Sequence, residues 1–160
     1  MSHDTKYPRK IVLEHRERLA EDAKADLARA VREREARERA KAQATEEAAR
    51  ANAARAKVRE DEDARLARGE LSAWDLAQRG AWELRAEAEA EALRKKVADL
   101  GGLYDVGREQ ERAALLSLAT RKADVDVLEK DRERHQASER KKAEAREEGA
   151  AAEVVRPTKA

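Results

Sequence analysis

Apolar residues recur at helical spacing along most of the chain, and most of them are alanine. The first stripe comprises Val12, Leu19, Ala23, Leu27, Ala30, Val31, Ala44, Ala48, Ala51 and Val58. Because residues three and four positions apart lie on one face of a helix, this pattern predicts an amphipathic helix. No glycine or proline occurs between Pro8 and Gly69. We therefore expect one helix over residues 8–68, with Pro8 in its first turn.

A second stripe predicts a second helix over residues 73–148. Its members are Trp74, Ala77, Ala81, Leu84, Ala88, Leu93, Val97, Leu100, Tyr104, Leu115, Leu118, Val125 and Leu128. Ser72 precedes Asp75 by three residues, the spacing of a capping box that begins a helix. Three glycines lie at 101–107, and because each costs about 1 kcal/mol in a helix, a kink or break is expected there. Residues 1–7 are expected to be disordered and 149–160 to form a flexible tail.

Residues 69–72 form the predicted turn, and so short a connection favours an antiparallel αα-hairpin. Folding the chain there pairs residues whose numbers sum to about 140. Leu13 then lies opposite Val125 and Leu128, and Leu27 lies opposite Leu115. The predicted fold is all-α: a long antiparallel two-helix coiled-coil hairpin, a monomeric rod. The agreement between the apolar patches favours the hairpin over a parallel dimer.

Composition excludes an ordinary globular domain. Charged residues make up 44% of the 160 residues, and the hydrophobic 41% consists largely of alanine. Large apolar residues are too few to fill a compact core, whereas Ala, Glu, Arg, Lys and Leu are typical of coiled coils. The net charge of +1 argues against a dedicated nucleic-acid-binding protein, which would present a basic surface. Without cysteine there is neither a disulfide framework nor a cysteine metal site.

No pattern of residues indicates catalysis. The three histidines, His3, His15 and His135, lack the spacing of metal ligands, and no phosphate-binding loop occurs. A catalytic carboxylate pair needs a pocket that shifts pKa values, which a two-helix rod does not provide. We expect no enzyme activity, no catalytic, cofactor-binding or metal-binding residue, and no cofactor. The basic run from Arg29 to Lys41 is interpreted as a solvated helix face, with contact to an acidic protein surface as the alternative.

No apolar run approaches the roughly 20 residues that span a bilayer, and the N-terminus does not resemble a signal peptide. We therefore expect a soluble protein, or one that is peripheral to a membrane through a partner, without direct membrane insertion.

Both tryptophans lie in the stretch "GELSAWDLAQRGAW" at the predicted bend. Trp74 and Trp82 are about 80° apart around a helix, so both cannot lie on a narrow seam. One of them, with Trp74 as the candidate, is expected to close the seam, and the other to be partly exposed to a partner. The predicted partner contact comprises Leu71, Trp74, Leu76 and Trp82.

The stretch "KYPRKIVLEHRERLAEDAK" resembles the N-terminus of the YscO/FliJ-like family, the stalk proteins of flagellar and injectisome type III secretion. The matching residues are Tyr7, Pro8, Val12, Leu13, Arg16 and Arg18. "RGELSAWDL" resembles the helix junction of that family, and residues 119–150 resemble its C-terminal helix. The matching residues there are Lys122, Leu128, Glu129, Lys130, Arg132 and Arg134.

The resemblance implies a stalk that links a hexameric export ATPase to the cytoplasmic ring of the export gate protein. Some members of the family also bind unladen secretion chaperones. The stalk would be cytoplasmic, and peripheral to the inner membrane through the secretion apparatus. The expected ATPase contact comprises Val12, Leu13, Arg16, Arg18, Lys122, Lys130, Arg132 and Arg134, and the bend contact above would face the gate. The alternatives are a structural coiled-coil spacer and a peripheral stalk subunit of a rotary ATPase.

Overall fold

The computed structural model describes residues 6–154, which form two helices and, within that range, no strand. Helix α1 spans Lys10–Ala67 and helix α2 spans Ala73–Val154. The two helices pack against each other in antiparallel directions, which confirms the predicted all-α hairpin. The expectations for residues 1–5 and 155–160 lie outside the described residues.

Two predicted boundaries are wrong. Helix α2 continues past residue 148 to Val154, because Gly149 alone does not stop a helix whose neighbours are good helix formers. Tyr7 is buried and is therefore part of the fold rather than of a disordered N-terminal segment.

The bend is built from two local capping motifs. Gly69 has a φ of 69°, a left-handed conformation that glycine adopts without steric cost. The backbone N–H of Glu70 donates to the carbonyl oxygen of Arg65 at 3.0 Å, and that of Gly69 donates to Leu66 at 3.0 Å. These are the two hydrogen bonds of a Schellman cap, which satisfy carbonyl groups at the end of α1.

Helix α2 begins with the predicted capping box. The N–H of Asp75 donates to Ser72 Oγ at 3.1 Å, and the N–H of Ser72 donates to Asp75 Oδ2 at 2.8 Å. The hydroxyl of Ser72 also donates to the same carboxylate oxygen at 2.7 Å. Hydrogen bonds from the side chain and then the backbone of Ser72 lower the pKa of Asp75. The spacing of Ser72 and Asp75 therefore fixes where α2 starts.

The helices contribute to two compact units. The terminal unit contains the described residues up to Leu27 and those from Ala113 onward, and the bend unit is Ala28–Arg112. Each unit contains one segment of α1 packed on one segment of α2.

The seam of the terminal unit contains most of the buried apolar side chains of the described chain. They are Tyr7, Leu13, Ala23 and Leu118. Arg16 Nη1 lies 3.1 Å from Asp124 Oδ2 across the helix pair. This ion pair agrees with the predicted antiparallel register.

Tyr7 fastens the segment before α1 to α2. Its hydroxyl donates to Asp131 Oδ2 at 2.6 Å, and its ring centroid lies 5.8 Å from that of His135. Burial and then the hydrogen bond to Asp131 raise the pKa of Tyr7. Arg9 Nη1 lies 3.4 Å from the same Asp131 oxygen, so this carboxylate is shared by two groups of the N-terminal segment.

The seam of the bend unit is partly basic. Arg34 Nε donates to Glu111 Oε2 at 2.7 Å, and Arg37 Nη1 donates to Gln110 Oε1 at 3.1 Å. The hydrogen bond to Glu111 is the main cause that raises the pKa of Arg34.

One turn farther along α1, Lys41 Nζ lies 5.2 Å from the ring centroid of Tyr104, within the range of a cation–π interaction. The interpretation of this run as a fully solvated face is therefore wrong for these half-buried side chains, although Arg32 and Arg39 are exposed.

Helix α2 is continuous through residues 101–107, so the predicted break does not occur. Gly107 is buried, and a Cβ atom there would lie 3.3 Å from Arg37 Cδ and 3.4 Å from Arg34 Cα. Arg37 and Arg34 of α1 therefore pack closely against the α2 backbone at this position. The space that they use is the space that the methyl group of an alanine at position 107 would occupy. The helix tolerates this glycine because the packing across the seam compensates for its low propensity.

Replacing Gly102 with alanine is expected to raise the free energy of unfolding by about 0.5–1 kcal/mol, because the helix gains propensity and no neighbouring atom lies within 4 Å of the new methyl group. Gly107→Ala has the same propensity gain, but its methyl group meets Arg37 and Arg34. We expect no net gain or a loss. Urea unfolding of both variants, followed by circular dichroism, measures the difference. Equal stabilisation by the two substitutions would contradict the close packing at Gly107.

Candidate functional site

The eight predicted ATPase-contact residues all belong to the terminal unit, but they differ in exposure. Leu13 is only 3% exposed, and Arg16 is engaged with Asp124. Both side chains stabilise the helix pair, and that of Arg16 remains 39% exposed. The residues with exposed side chains are Val12, Arg18, Lys122, Lys130 and Arg134, and Arg132 is half-buried. The accessible part of the predicted surface is therefore mostly basic.

An apolar stripe on the outer face of α2 in the terminal unit was not predicted. Leu116 is 63% exposed and Val127 is 67% exposed. They are eleven residues apart, which is three helical turns, and so lie on one face. Ile11, in α1 of the same unit, is also exposed. The spacing of Leu116 and Val127 is visible in the sequence, but the two residues lie on a different face of α2 from the residues of the seam.

The seam of α2 in this unit includes Leu118 rather than Leu115. Leu118 is buried, whereas Leu115 is largely exposed. Both were placed on the predicted stripe, and three residues separate them around the helix by about 60°. Because Leu115 is largely exposed, the structure does not support its expected contact with Leu27.

At the bend, the two tryptophans have opposite roles from those expected. Trp74 is 68% exposed, whereas Trp82 is half-buried. The expectation that Trp74 closes the seam is wrong. Leu76 is exposed and Leu71 is half-buried, so the predicted partner contact contains two accessible apolar side chains, Trp74 and Leu76.

The position of Asp75 accounts for this reversal. The capping box directs Asp75 toward Ser72, and Arg79, one turn later on the same face, meets acidic side chains of α1. Trp74 is rotated from Asp75 by about 100° around the helix and therefore points away from the seam. Trp82 follows Arg79 by three residues and returns to the seam face.

Arg79 forms the main electrostatic contact between the helices near the bend. Its guanidinium pairs with Asp63, lies 3.4 Å from Glu62 Oε2 and lies 3.8 Å from Glu83 Oε1. The hydrogen bond to Asp63 is the main cause that raises the pKa of Arg79. A single cation thus holds carboxylates from both helices.

A groove of about 360 Å³ lies between α1 and α2 in the bend unit. Four of its lining residues are alanine, and Asn52 and Val58 from α1 and Trp82, Glu89 and Leu93 from α2 also line it. Arg55 and Arg85 also line it. Below we refer to this feature as the alanine groove.

Within residues 6–154, no cluster of three or more acidic or histidine side chains has an arrangement that could hold a metal ion. Over the same range, neither helix contains a segment apolar enough to span a membrane. The features that the described residues do provide are exposed basic and apolar side chains in the terminal unit, and an exposed tryptophan and a groove in the bend unit.

No family model matches this sequence, and no curated protein or solved structure is significantly similar to it.

The two tryptophans are expected to differ in fluorescence. The Trp82→Phe variant, which retains Trp74, should emit at longer wavelength and be quenched more strongly by acrylamide, because Trp74 is exposed to water. The Trp74→Phe variant, which retains Trp82, should emit at shorter wavelength. Circular dichroism of both variants controls for helix content. The reverse order of emission would contradict the placement of Trp82 at the seam.

Proposed function

We propose that this protein is a stalk component of a bacterial type III secretion export apparatus, linking the hexameric export ATPase to the cytoplasmic ring of the export gate protein. The observation that carries the proposal is the pairing within the terminal unit. Residues 7–18 and residues 122–134, the two stretches that resemble the YscO/FliJ-like family, lie side by side there, joined by the contacts of Tyr7 with Asp131 and of Arg16 with Asp124.

The ATPase contact is assigned to the accessible basic side chains of the terminal unit. Arg18 and Lys130 are exposed and form no ion pair with any described residue. Unpaired cations on a helix surface attract an acidic partner and increase the rate of encounter with it. Val12 adds an exposed apolar side chain to this surface, whereas Leu13 and Arg16 act indirectly by fixing the helix pair.

The export gate contact is assigned to the bend, where Trp74 and Leu76 are exposed. A solvent-exposed tryptophan is a frequent anchor of protein interfaces. A plain coiled-coil spacer would not account for a tryptophan that is 68% exposed. In this role the protein is cytoplasmic and is held at the inner membrane by its partners, and unladen secretion chaperones are further candidate partners.

A pull-down with the purified export ATPase of the same organism tests the proposal. At low ionic strength, the wild-type chain should bind. The double variant Arg18→Glu/Lys130→Glu should bind about tenfold more weakly, because reversed charges now oppose the acidic partner. Tyr7 and Leu13 are unchanged in this variant, so circular dichroism should show an intact hairpin.

The matched control is Lys57→Glu/Lys95→Glu, which makes the same change in charge at exposed positions of the bend unit. It should bind as the wild type does. No binding by the wild-type chain would overturn the stalk proposal. Equal loss in the two double variants would show non-specific attraction and would overturn the assignment of the contact to the terminal unit.

A further inference from the structure

The alanine groove is open because four of the residues that line it are alanines, which leave space beside the larger side chains. Ala51 and Ala54 line its α1 side and Ala86 lines its α2 side. Val58, a larger apolar residue at the groove, is still 37% exposed. Methyl groups leave space between two helices that longer side chains would occupy. Trp82 and Leu93 provide apolar area next to this space.

Two arginines at the groove lack carboxylate partners. Arg55 Nε is buried and has no hydrogen-bond acceptor. Arg85 Nε donates only to the carbonyl oxygen of Ala81 in its own helix, at 3.4 Å. Within residues 6–154, neither guanidinium forms an ion pair. A buried N–H without an acceptor is costly, and a carboxylate is the acceptor that guanidinium binds most strongly.

We propose that the alanine groove binds an acidic amphipathic helix of a partner protein, so that the bend unit becomes a local three-helix coil. Aliphatic side chains of the incoming helix pack on Trp82 and Val58, and carboxylates beside them accept hydrogen bonds from Arg55 and Arg85. The inference does not rest on the proposed function, because the groove contains Trp82 but neither Trp74 nor Leu76, the exposed residues of the gate contact.

The dimensions of the groove fit this partner. Ala51 and Val58 are two turns apart on α1, and Trp82 and Leu93 are three turns apart on α2. A guest helix of about three turns therefore covers the groove with anchors at helical spacing. Glu89 also lines the groove, but it is outnumbered by Arg55 and Arg85, so the net charge of the lining is positive and favours an acidic helix over a basic one.

The test uses the full chain with Trp74→Phe, so that Trp82 is the sole tryptophan and reports on the groove. The probe is a synthetic peptide of about 18 residues, long enough to form a helix, with leucines on one face and glutamates beside them. A matched peptide carries lysines in place of the glutamates. The acidic peptide should produce a saturable change in Trp82 emission, and the basic peptide should not.

The variants Arg55→Gln and Arg85→Gln should each weaken binding of the acidic peptide by about tenfold, the loss expected for one charge-assisted hydrogen bond. Arg39→Gln is the matched control, because Arg39 is exposed in the same unit and does not line the groove. It should leave binding unchanged. Circular dichroism confirms that each variant keeps its helix content.

The proposal is overturned if the acidic peptide gives no saturable change, or if Arg55→Gln and Arg85→Gln both bind as Arg39→Gln does. A second outcome would also overturn it: sedimentation shows self-association of the chain, Arg55→Gln abolishes this self-association, and the acidic peptide does not compete with it. The occupant of the groove would then be a second copy of the chain. These results are independent of the ATPase pull-down, which depends on Arg18 and Lys130.

Discussion

The contact between α1 and α2 is the interaction on which the rest of this structure depends, and it buries very little. The buried hydrophobic side chains of the described residues are Tyr7, Leu13, Ala23, Ala44 and Leu118. Two helices enclose a side chain only partly, and alanine contributes little area to the hydrophobic effect. Polar contacts across the seam must therefore help to determine which residues of the two helices lie opposite each other.

These polar contacts determine the register more than the stability. Arg16 meets Asp124 in the terminal unit, and Lys96 meets Glu47 in the bend unit, with Nζ 2.7 Å from Oε2. Each such partly exposed ion pair contributes only about 0.2–1 kcal/mol, yet a slip by one turn would break it. The buried Gly107 acts in the same way, because Arg37 fits closely against it and would meet a larger side chain in another register.

The sequence was sufficient to predict the elements that depend on local chemistry. The absence of glycine and proline between Pro8 and Gly69 predicted the long first helix, and Ser72 with Asp75 predicted the start of the second. The face of each helix that forms the seam was harder to predict. Alanines occur on several faces, and Arg34 and Arg37 occupy seam positions that a hydrophobic pattern does not reveal. That is why Trp74 was assigned to the seam instead of Trp82, and Leu115 was assigned to it together with Leu118. Which side chains are exposed also depends on which face of each helix forms the seam. The exposure of Leu116 and Val127 and the alanine groove therefore became evident only from the packed helices.

The two proposed binding roles both require that the hairpin forms within one molecule in this register, and a cross-linking measurement tests that directly. The chain contains no cysteine, so paired substitutions can be joined by a short bismaleimide linker without background. Glu47→Cys with Lys96→Cys joins positions whose native side chains are in contact. Glu47→Cys with Arg85→Cys is the control, since Arg85 lies three turns from Lys96 on the same face of α2. We expect a cross-linked product of monomer size for the first pair and little for the second. Equal cross-linking of the two pairs, or products of dimer size only, would contradict the hairpin.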